Sequence, residues 1–245
     1  MHLYAVGDIH GSAENAKRIV EPIASELTPD DVIVCLGDVG IAYGDHVHDD
    51  LRRYFSDLPC RVLVMRGNHD TRYWRDMQLG TLASGHAEMV DWSGSAFMRD
   101  RRYPNTLYVH DGGDLVTIDN HVCLFIPGAW SIDGRYRRKT GLPWEPEEQL
   151  TRSERDDLLR LAETHSIEHI FSHTCPFDWM SLELYDRLIP VEVVPVSDAT
   201  MEEWLEDVLD ACESLEAWWF GHYHDDRDVA CGLGHLLYQR ARKVF

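Results

Sequence analysis

Cationic side chains are scarce in this 245-residue chain. It carries 23 Lys and Arg against 43 Asp and Glu, a formal net charge of -20. Non-specific nucleic-acid binding depends on cationic surface, so a nucleic-acid partner is disfavoured. The acidic excess reads as a solvated surface, partly neutralised by bound divalent ions. No apolar run approaches the ~20 residues needed to cross a bilayer, so no membrane helix is expected. Met1 leads straight into the first apolar segment and leaves no room for a signal peptide. The six cysteines, at 35, 60, 123, 175, 212 and 231, contain no Cys-x-x-Cys pair. Cys35 and Cys123 fall within predicted strands as ordinary buried thiols, and the expected compartment is a reducing cytoplasm. Linker-like tracts, internal repeats and low-complexity segments are also missing. A single domain over residues 1–245 is therefore expected, with an apolar fraction of 44% to build its core.

Five short islands of Asp, Asn and His are spread along the whole chain. They are Gly7-Asp8-Ile9-His10-Gly11, Gly37-Asp38-Val39-Gly40, Gly67-Asn68-His69-Asp70, Ser172-His173-Thr174 and Gly221-His222-Tyr223-His224. Each follows a short apolar run, at residues 3–6, 32–36, 62–65, 169–171 and 218–220. Runs of that length bounded by turn residues read as buried strands. All five islands then lie at the C-terminal ends of strands, where open α/β sheets place their ligands.

Two carboxylates, one amide oxygen and four imidazoles converging on one rim suit two divalent metals. Asp oxygen with neutral His nitrogen favours Mn, Fe or Zn, whereas Mg or Ca alone would draw mostly oxygen. Two ions sharing a carboxylate sit roughly 3.5–4 Å apart and clamp both oxygens of an in-line displacement, with a hydroxide held between them as nucleophile.

The ordered set Asp-x-His, Gly-Asp, Gly-Asn-His, a separate His, and Gly-His-x-His resembles the calcineurin-like metallophosphoesterases, over residues 8 to 224. The stretches Gly128-Ala129-Trp130-Ser131-Ile132-Asp133 and Ser172-His173-Thr174-Cys175-Pro176 look more like a bacterial and phage-associated branch. The resemblance implies a four-layer αββα sandwich of two mixed sheets flanked by helices. It implies that Asp8, His10 and His224 hold one metal, that Asn68, His173 and His222 hold the other, and that Asp38 bridges them. His69 matches the family's non-ligand His, which acts near the leaving group. The implied activity is metal-dependent hydrolysis of a phosphate ester, with a small phosphomonoester or nucleotide as the first substrate class. The alternatives are a phosphodiesterase or nuclease acting on cyclic or linear phosphodiesters and, from another class, a catalytically weak binding scaffold.

One position departs from the resemblance. Many members read Gly-Asp-x-x-Asp at the second island, and the second Asp orients the catalytic His. Here that position is Ile41, followed by Ala42 where the protein Ser/Thr phosphatases carry Arg. Asp70, Asp45 or a backbone carbonyl is expected to orient His69 instead.

Between the islands, residues 71–106 read as irregular. Strands are expected at 107–109, 114–118 and 121–126, with tight turns at Gly112-Gly113 and Asp119-Asn120. Helices are expected after Ser12, over 151–165, and over 198–214 with Asp198 as N-cap. Loop insertions near 127–150 and 174–197 are expected to wall the site, because long unstructured loops in compact domains are usually functional or disordered. The first holds Arg135, Arg137, Arg138 and Lys139. Arg135, with Arg66 and Arg72 beside the third island, is a candidate to meet a substrate phosphate, since the guanidinium fork suits that group.

Overall fold

The computed structural model describes residues 1–184 and 198–245. The N-terminal third alternates strand and helix. The strands are β1 (Leu3–Val6), β2 (Val32–Leu36) and β5 (Arg61–Met65), interleaved with α1 (Ala13–Val20) and α2 (Asp49–Asp57). Ser12 caps α1, its hydroxyl accepting the Asn15 N–H at 3.1 Å. A small hairpin, β3 (Ala42–Tyr43) and β4 (His46–Val47), follows the second island. Helix α3 (Tyr73–Leu79) follows the third.

Two mixed sheets result. The first has seven strands in the order β15-β1-β2-β5-β8-β7-β6, adding β6 (Ala87–Trp92), β7 (Ser95–Asp100), β8 (Thr106–Tyr108) and β15 (Ala241–Lys243). The second has six in the order β13-β14-β12-β11-β10-β9. Its members are β9 (Asp114–Ile118), β10 (His121–Ile126), β11 (His169–Ser172), β12 (Ala217–Phe220), β13 (Arg227–Val229) and β14 (Gly234–Leu236). Within the first sheet β1, β2 and β5 are parallel neighbours, as β11 and β12 are in the second. The C-terminal ends of these five strands form the rim that carries the islands.

Strand alternation makes the layers. Leu3, Ala5, Val32, Val34, Leu36, Leu63 and Met65 of the first sheet share one buried cluster with Cys123, Phe125, Phe171 and Trp219 of the second. The intervening residues point outward. Tyr4, Val6, Ile33, Cys35 and Val64 pack under α1 and α2. Leu124, Ile126, Ile170, Trp218 and Phe220 pack under α5 (Arg152–Thr164) and α7 (Thr200–Ala211). Because successive side chains face opposite sides of a strand, continuous apolar runs are what a sheet covered on both faces requires. The result is the expected αββα sandwich. No helix among the described residues is long and apolar enough to cross a membrane.

Three regions differ from the sequence reading. Residues 71–106 contain α3 and the β6–β7 hairpin, joined by Ser93-Gly94 with φ of 57° and 78°. That two-residue connection with both φ positive suits the twist of a hairpin. Its outer strand, β6, is the sheet edge, with Glu88, Asp91 and Trp92 partly or fully exposed, so it lacks the apolar run that marked the others. The segment 127–150 is not a structureless loop, because it holds α4 (Gly134–Thr140). The segment 174–197 begins with the short α6 (Phe177–Trp179) and a π-helical turn, Met180–Leu184, while residues 185–197 lie outside the described residues. Helix α7 opens at Thr200, where the Asp198 carboxylate accepts the Thr200 N–H at 3.0 Å.

Arg72 ties the two halves. Its guanidinium meets the Glu154 carboxylate at 2.7 and 3.2 Å. Glu154 also closes a capping box with Thr151 at the start of α5. Burial works against the Glu154 charge, but Arg72 and Thr151 outweigh it and hold the carboxyl down at about 2. A folded value below the unfolded 4.5 means the stabilisation is complete above pH 4.5 and disappears as pH falls through about 2. Glu154→Gln should therefore cost about 1–2 kcal/mol near neutrality, allowing for partial exposure. The gap from wild type in denaturant midpoint should narrow steadily between pH 4.5 and 2.5, and a gap that is constant with pH would contradict the assignment.

Candidate metal centre

The five islands meet at one rim. Asp8 follows β1, and Asp38 follows β2. Both are buried. Asp8 Oδ2 lies 3.1 Å from His224 Nε2 and 3.9 Å from His10 Nε2. The two imidazole nitrogens are themselves 2.9 Å apart. Asp8 Oδ2 is sealed from solvent and has no well-aligned hydrogen-bond donor, His224 Nε2 being its near neighbour. A buried carboxylate oxygen without such a donor is costly, and a cation held by Asp8, His10 and His224 would satisfy it.

The second cradle lies across Asp38. His173 Nε2 is 2.8 Å from Asn68 Oδ1 and 3.3 Å from Asp38 Oδ1. His10 Nδ1 is 3.9 Å from Asp38 Oδ2, so Asp38 faces both groups of ligands as a bridge must. The His222 ring stands edge-on to His173, with centroids 5.0 Å apart. All seven expected ligands are thus brought together. The close approach excludes side chains at two glycines. A Cβ at Gly67 would collide with Asp38 Oδ1, and one at Gly221 with Asp8 Oδ1.

Backbone conformation aims several of these groups. His10, Asp38, His222 and His224 have φ of 54°, 46°, 72° and 52°. Non-glycine residues adopt that left-handed region rarely, and where they do it is commonly at functional sites. The Asp38 carbonyl accepts the N–H of Ile9 and of His10, joining the first two islands. The Asp70 carboxylate accepts the N–H groups of Val39, Gly40 and Gly67 and the Tyr73 hydroxyl, joining the second and third. His173 Nδ1 lies 2.8 Å from the Leu36 carbonyl at the end of β2, which turns Nε2 toward Asn68 and Asp38.

The electrostatics match a cation site. Burial opposes the charge on Asp38, but His173, His69 and His10 hold its carboxyl well below the usual range. Burial likewise opposes charge on His173, yet Asp38 pulls it up to about 9. Burial and then the neighbouring His173 hold His222 down at about 3, leaving a neutral imidazole. Ionised Asp38 and neutral His222 already have the form a borderline metal takes, whereas His173 must give up its proton to bind one.

His69 stands beside the first cradle, and candidate ligand atoms of His10, Asp38 and His69 lie within 4.8 Å of one another. Its backbone N–H donates to Asp38 Oδ1 at 2.7 Å. Its ring lies parallel to Tyr43, with centroids 5.2 Å apart. Nδ1 is 4.0 Å from Asp38 Oδ2, and Nε2 is 4.0 Å from Asp133 Oδ1. Burial holds the imidazole below its ordinary value. Asp70 does not orient His69, because both its oxygens are taken by the loop amides and Tyr73. Asp45 sits exposed between β3 and β4. Ile41 is fully buried in the helix-side core.

The arginines fall differently from one another. Arg66 is buried, donating to the carbonyls of Asp111 at 3.0 Å and Glu148 at 2.7 Å. Arg72 is held by Glu154, as described. Both guanidiniums are engaged inside the protein, behind the rim. Arg135 is exposed on α4. On the same helix Arg137 pairs with Asp133 at 2.7 Å and lies 5.9 Å from the Tyr43 ring centroid, on the His69 wall.

Three supporting residues escaped the sequence reading. The Ser131 hydroxyl accepts the Asn68 amide N–H at 2.9 Å and donates to Glu148 Oε2 at 2.6 Å. This chain fixes the Asn68 amide so that Oδ1 faces His173. Asp133 is the third, through His69. The stretch 128–133 signalled both Ser131 and Asp133, but only as a resemblance. Outer partners of metal ligands typically contribute 10–100-fold in metal affinity. Ser131→Ala should weaken uptake at the Asn68 side by that factor and leave the Asp8 side unchanged, read by metal titration with two resolved binding steps. Equal loss at both steps would contradict the arrangement.

Among curated proteins nothing matches the chain. Among solved structures, a protein of unknown function from Aquifex aeolicus is 14% identical over 71% of this chain and 80% of its own, with a TM-score of 0.36. The model of the calcineurin-like phosphoesterase family matches residues 1–226, which includes every island. With that match over nearly the whole length, the chain belongs to the calcineurin-like phosphoesterase family.

Proposed function

We propose that this protein hydrolyses a phosphate ester, with a small phosphomonoester or nucleotide as substrate and two divalent ions, Mn, Fe or Zn, as cofactors. The observation that carries the reading is the buried Asp8 Oδ2, facing the opposed nitrogens of His10 and His224 beside Asp38. In this reading Asp8, His10 and His224 hold one ion and Asn68, His173 and His222 the other. The whole chain acts as one domain, in a cytoplasmic setting.

Bound there, the ions supply charge against the phosphoryl oxygens and a nucleophile drawn from water at neutral pH. The protein does the rest. Asp8 and Asp38 fix the spacing of the cradles because each is buried and held by backbone amides, those of His222 and His69 respectively. His10 and His224 form the exposed side of the rim, through which a substrate enters. His69, stacked on Tyr43, presents its ring beside Asp38, where it can donate a proton or hydrogen bond to the leaving oxygen. Arg137 and the exposed Arg135 supply positive charge on α4 for the remainder of a phosphorylated substrate. Arg66 and Arg72 support the fold behind the rim.

The test is an assay of an aryl phosphate, an aryl phosphodiester and an alkyl phosphate with added Mn. Turnover of the monoesters is expected. Preference for the diester would reassign the substrate class, and no turnover of any of them would favour a binding scaffold. His69→Ala should retain its metal and its KM on the alkyl phosphate while kcat falls by ~10²–10⁴-fold, the usual span for a general acid. The loss should be smaller with a nitrophenolate leaving group, which needs no proton. Loss of metal in that variant would show His69 to be a ligand instead.

A further inference from the structure

The opposite pole of the second sheet holds another cluster of metal-binding groups. His121 opens β10, His169 opens β11, and Glu216 immediately precedes β12. These strands are parallel neighbours, with His169 in register with Cys123 and Ala217, which brings His121, His169 and Glu216 to the same end of the sheet. Candidate ligand atoms of His121, His169 and Glu216 all lie within 4.8 Å of one another. His173 of the family site follows the far end of β11, about 13 Å along the strand from His169.

Two further observations point to a ligand. His169 is only 4% exposed, yet neither of its ring nitrogens has a hydrogen-bond partner. The nearest carboxylate oxygen, Glu216 Oε2, stands 4.0 Å from Nε2, too far for a hydrogen bond. His121 Nδ1 lies 2.7 Å from Glu168 Oε2. A carboxylate on one ring nitrogen fixes the tautomer and leaves the lone pair on the other, which is the usual outer support of a metal-bound His. Phe245 stacks on His121 at 4.2 Å and covers one side of the cluster, while the exposed Glu216 leaves the other side open to solvent.

We propose that His121, His169 and Glu216 form a second, mononuclear site for a borderline divalent metal such as zinc, separate from the family's dinuclear centre. Two nitrogens and one carboxylate are a zinc donor set, with water completing a four-coordinate shell. Hard ions such as Mg or Ca would not choose it. Metal–ligand bonds of about 2.0–2.2 Å require the cluster to tighten by roughly an ångström, a movement that the exposed Glu216 side chain can make. Burial and then the neighbouring His121 keep His169 neutral, as a ligand must be. An ion here would join three neighbouring strands and stabilise the folded state by linkage.

The test compares the full-length wild type with Glu216→Gln and His121→Gln, each dialysed against zinc and analysed for metal per chain. Glu216 is exposed, so its variant should fold, which circular dichroism checks. Both variants should bind one equivalent fewer than wild type, or bind it at least tenfold more weakly. Zinc should also raise Tm more in wild type than in Glu216→Gln. Loss of the dinuclear centre in Asp38→Ala should leave this difference between wild type and variant intact, so the two sites fail separately. Equal metal content in all three proteins, with equal zinc-dependent Tm shifts, would overturn the proposal.

Discussion

The Asp70 carboxylate is the interaction on which the site most depends. It is fully buried, yet accepts three backbone N–H groups and a phenol. Those amides belong to the loops after β2 and β5, which carry Asp38 and Asn68. Separate strands cannot by themselves set the distance between two loop residues to a few tenths of an ångström. A common acceptor can, because each hydrogen bond has a narrow range of length and angle. Burial and then the nearby Asp38 push the Asp70 carboxyl up, so its charge is held in place only by those donors. The His69 N–H donated to the Asp38 carboxylate, and the Ile9 and His10 N–H groups donated to the Asp38 carbonyl, extend the same lattice to the first island.

Rigid strands and strained loops divide the work. The central layer of the sandwich is covered on both faces, and close-packed interiors transmit little motion. On that base four island residues, His10, Asp38, His222 and His224, keep left-handed φ, a conformation that persists only where the surroundings over-determine it. His173 needs no such strain. It follows β11 directly, and the Leu36 carbonyl of the opposite sheet sets its ring. That hydrogen bond, with the one from the His222 N–H to Asp8 Oδ1, couples the two sheets at the rim.

The substitution of Ile41 for an acid changes the wall around His69 rather than removing it. Ile41 joins the core under the helices, and the polar role moves to α4 and the preceding loop. Asp133 faces His69 Nε2, Arg137 pairs with Asp133, and Tyr43 stacks on the imidazole. The Tyr43 hydroxyl donates to the Pro143 carbonyl at 2.7 Å, which fastens the β3–β4 hairpin to the segment after α4. Orientation is thus supplied by stacking and a more distant carboxylate.

Much of the architecture was legible in the chain. Apolar runs ending in Gly-Asp, Gly-Asn-His or Gly-His-x-His identify buried strands and their C-terminal ends, because strand burial and turn chemistry are local properties. The seven ligand candidates follow from the same islands, and they converge because parallel strands end on one rim. The β6–β7 hairpin was not legible, since an edge strand with one wet face carries no apolar run. Nor was the inward turn of Arg66 and Arg72, which depends on the Asp111, Glu148 and Glu154 groups that packing delivers from 45 to 82 residues away. The partners of His69 and Asn68 lie on a segment remote in sequence, and only the packing of α4 against the rim selects them. The cluster of His121, His169 and Glu216 has the same origin. Its members are unremarkable singly, and the register of three parallel strands alone makes them neighbours.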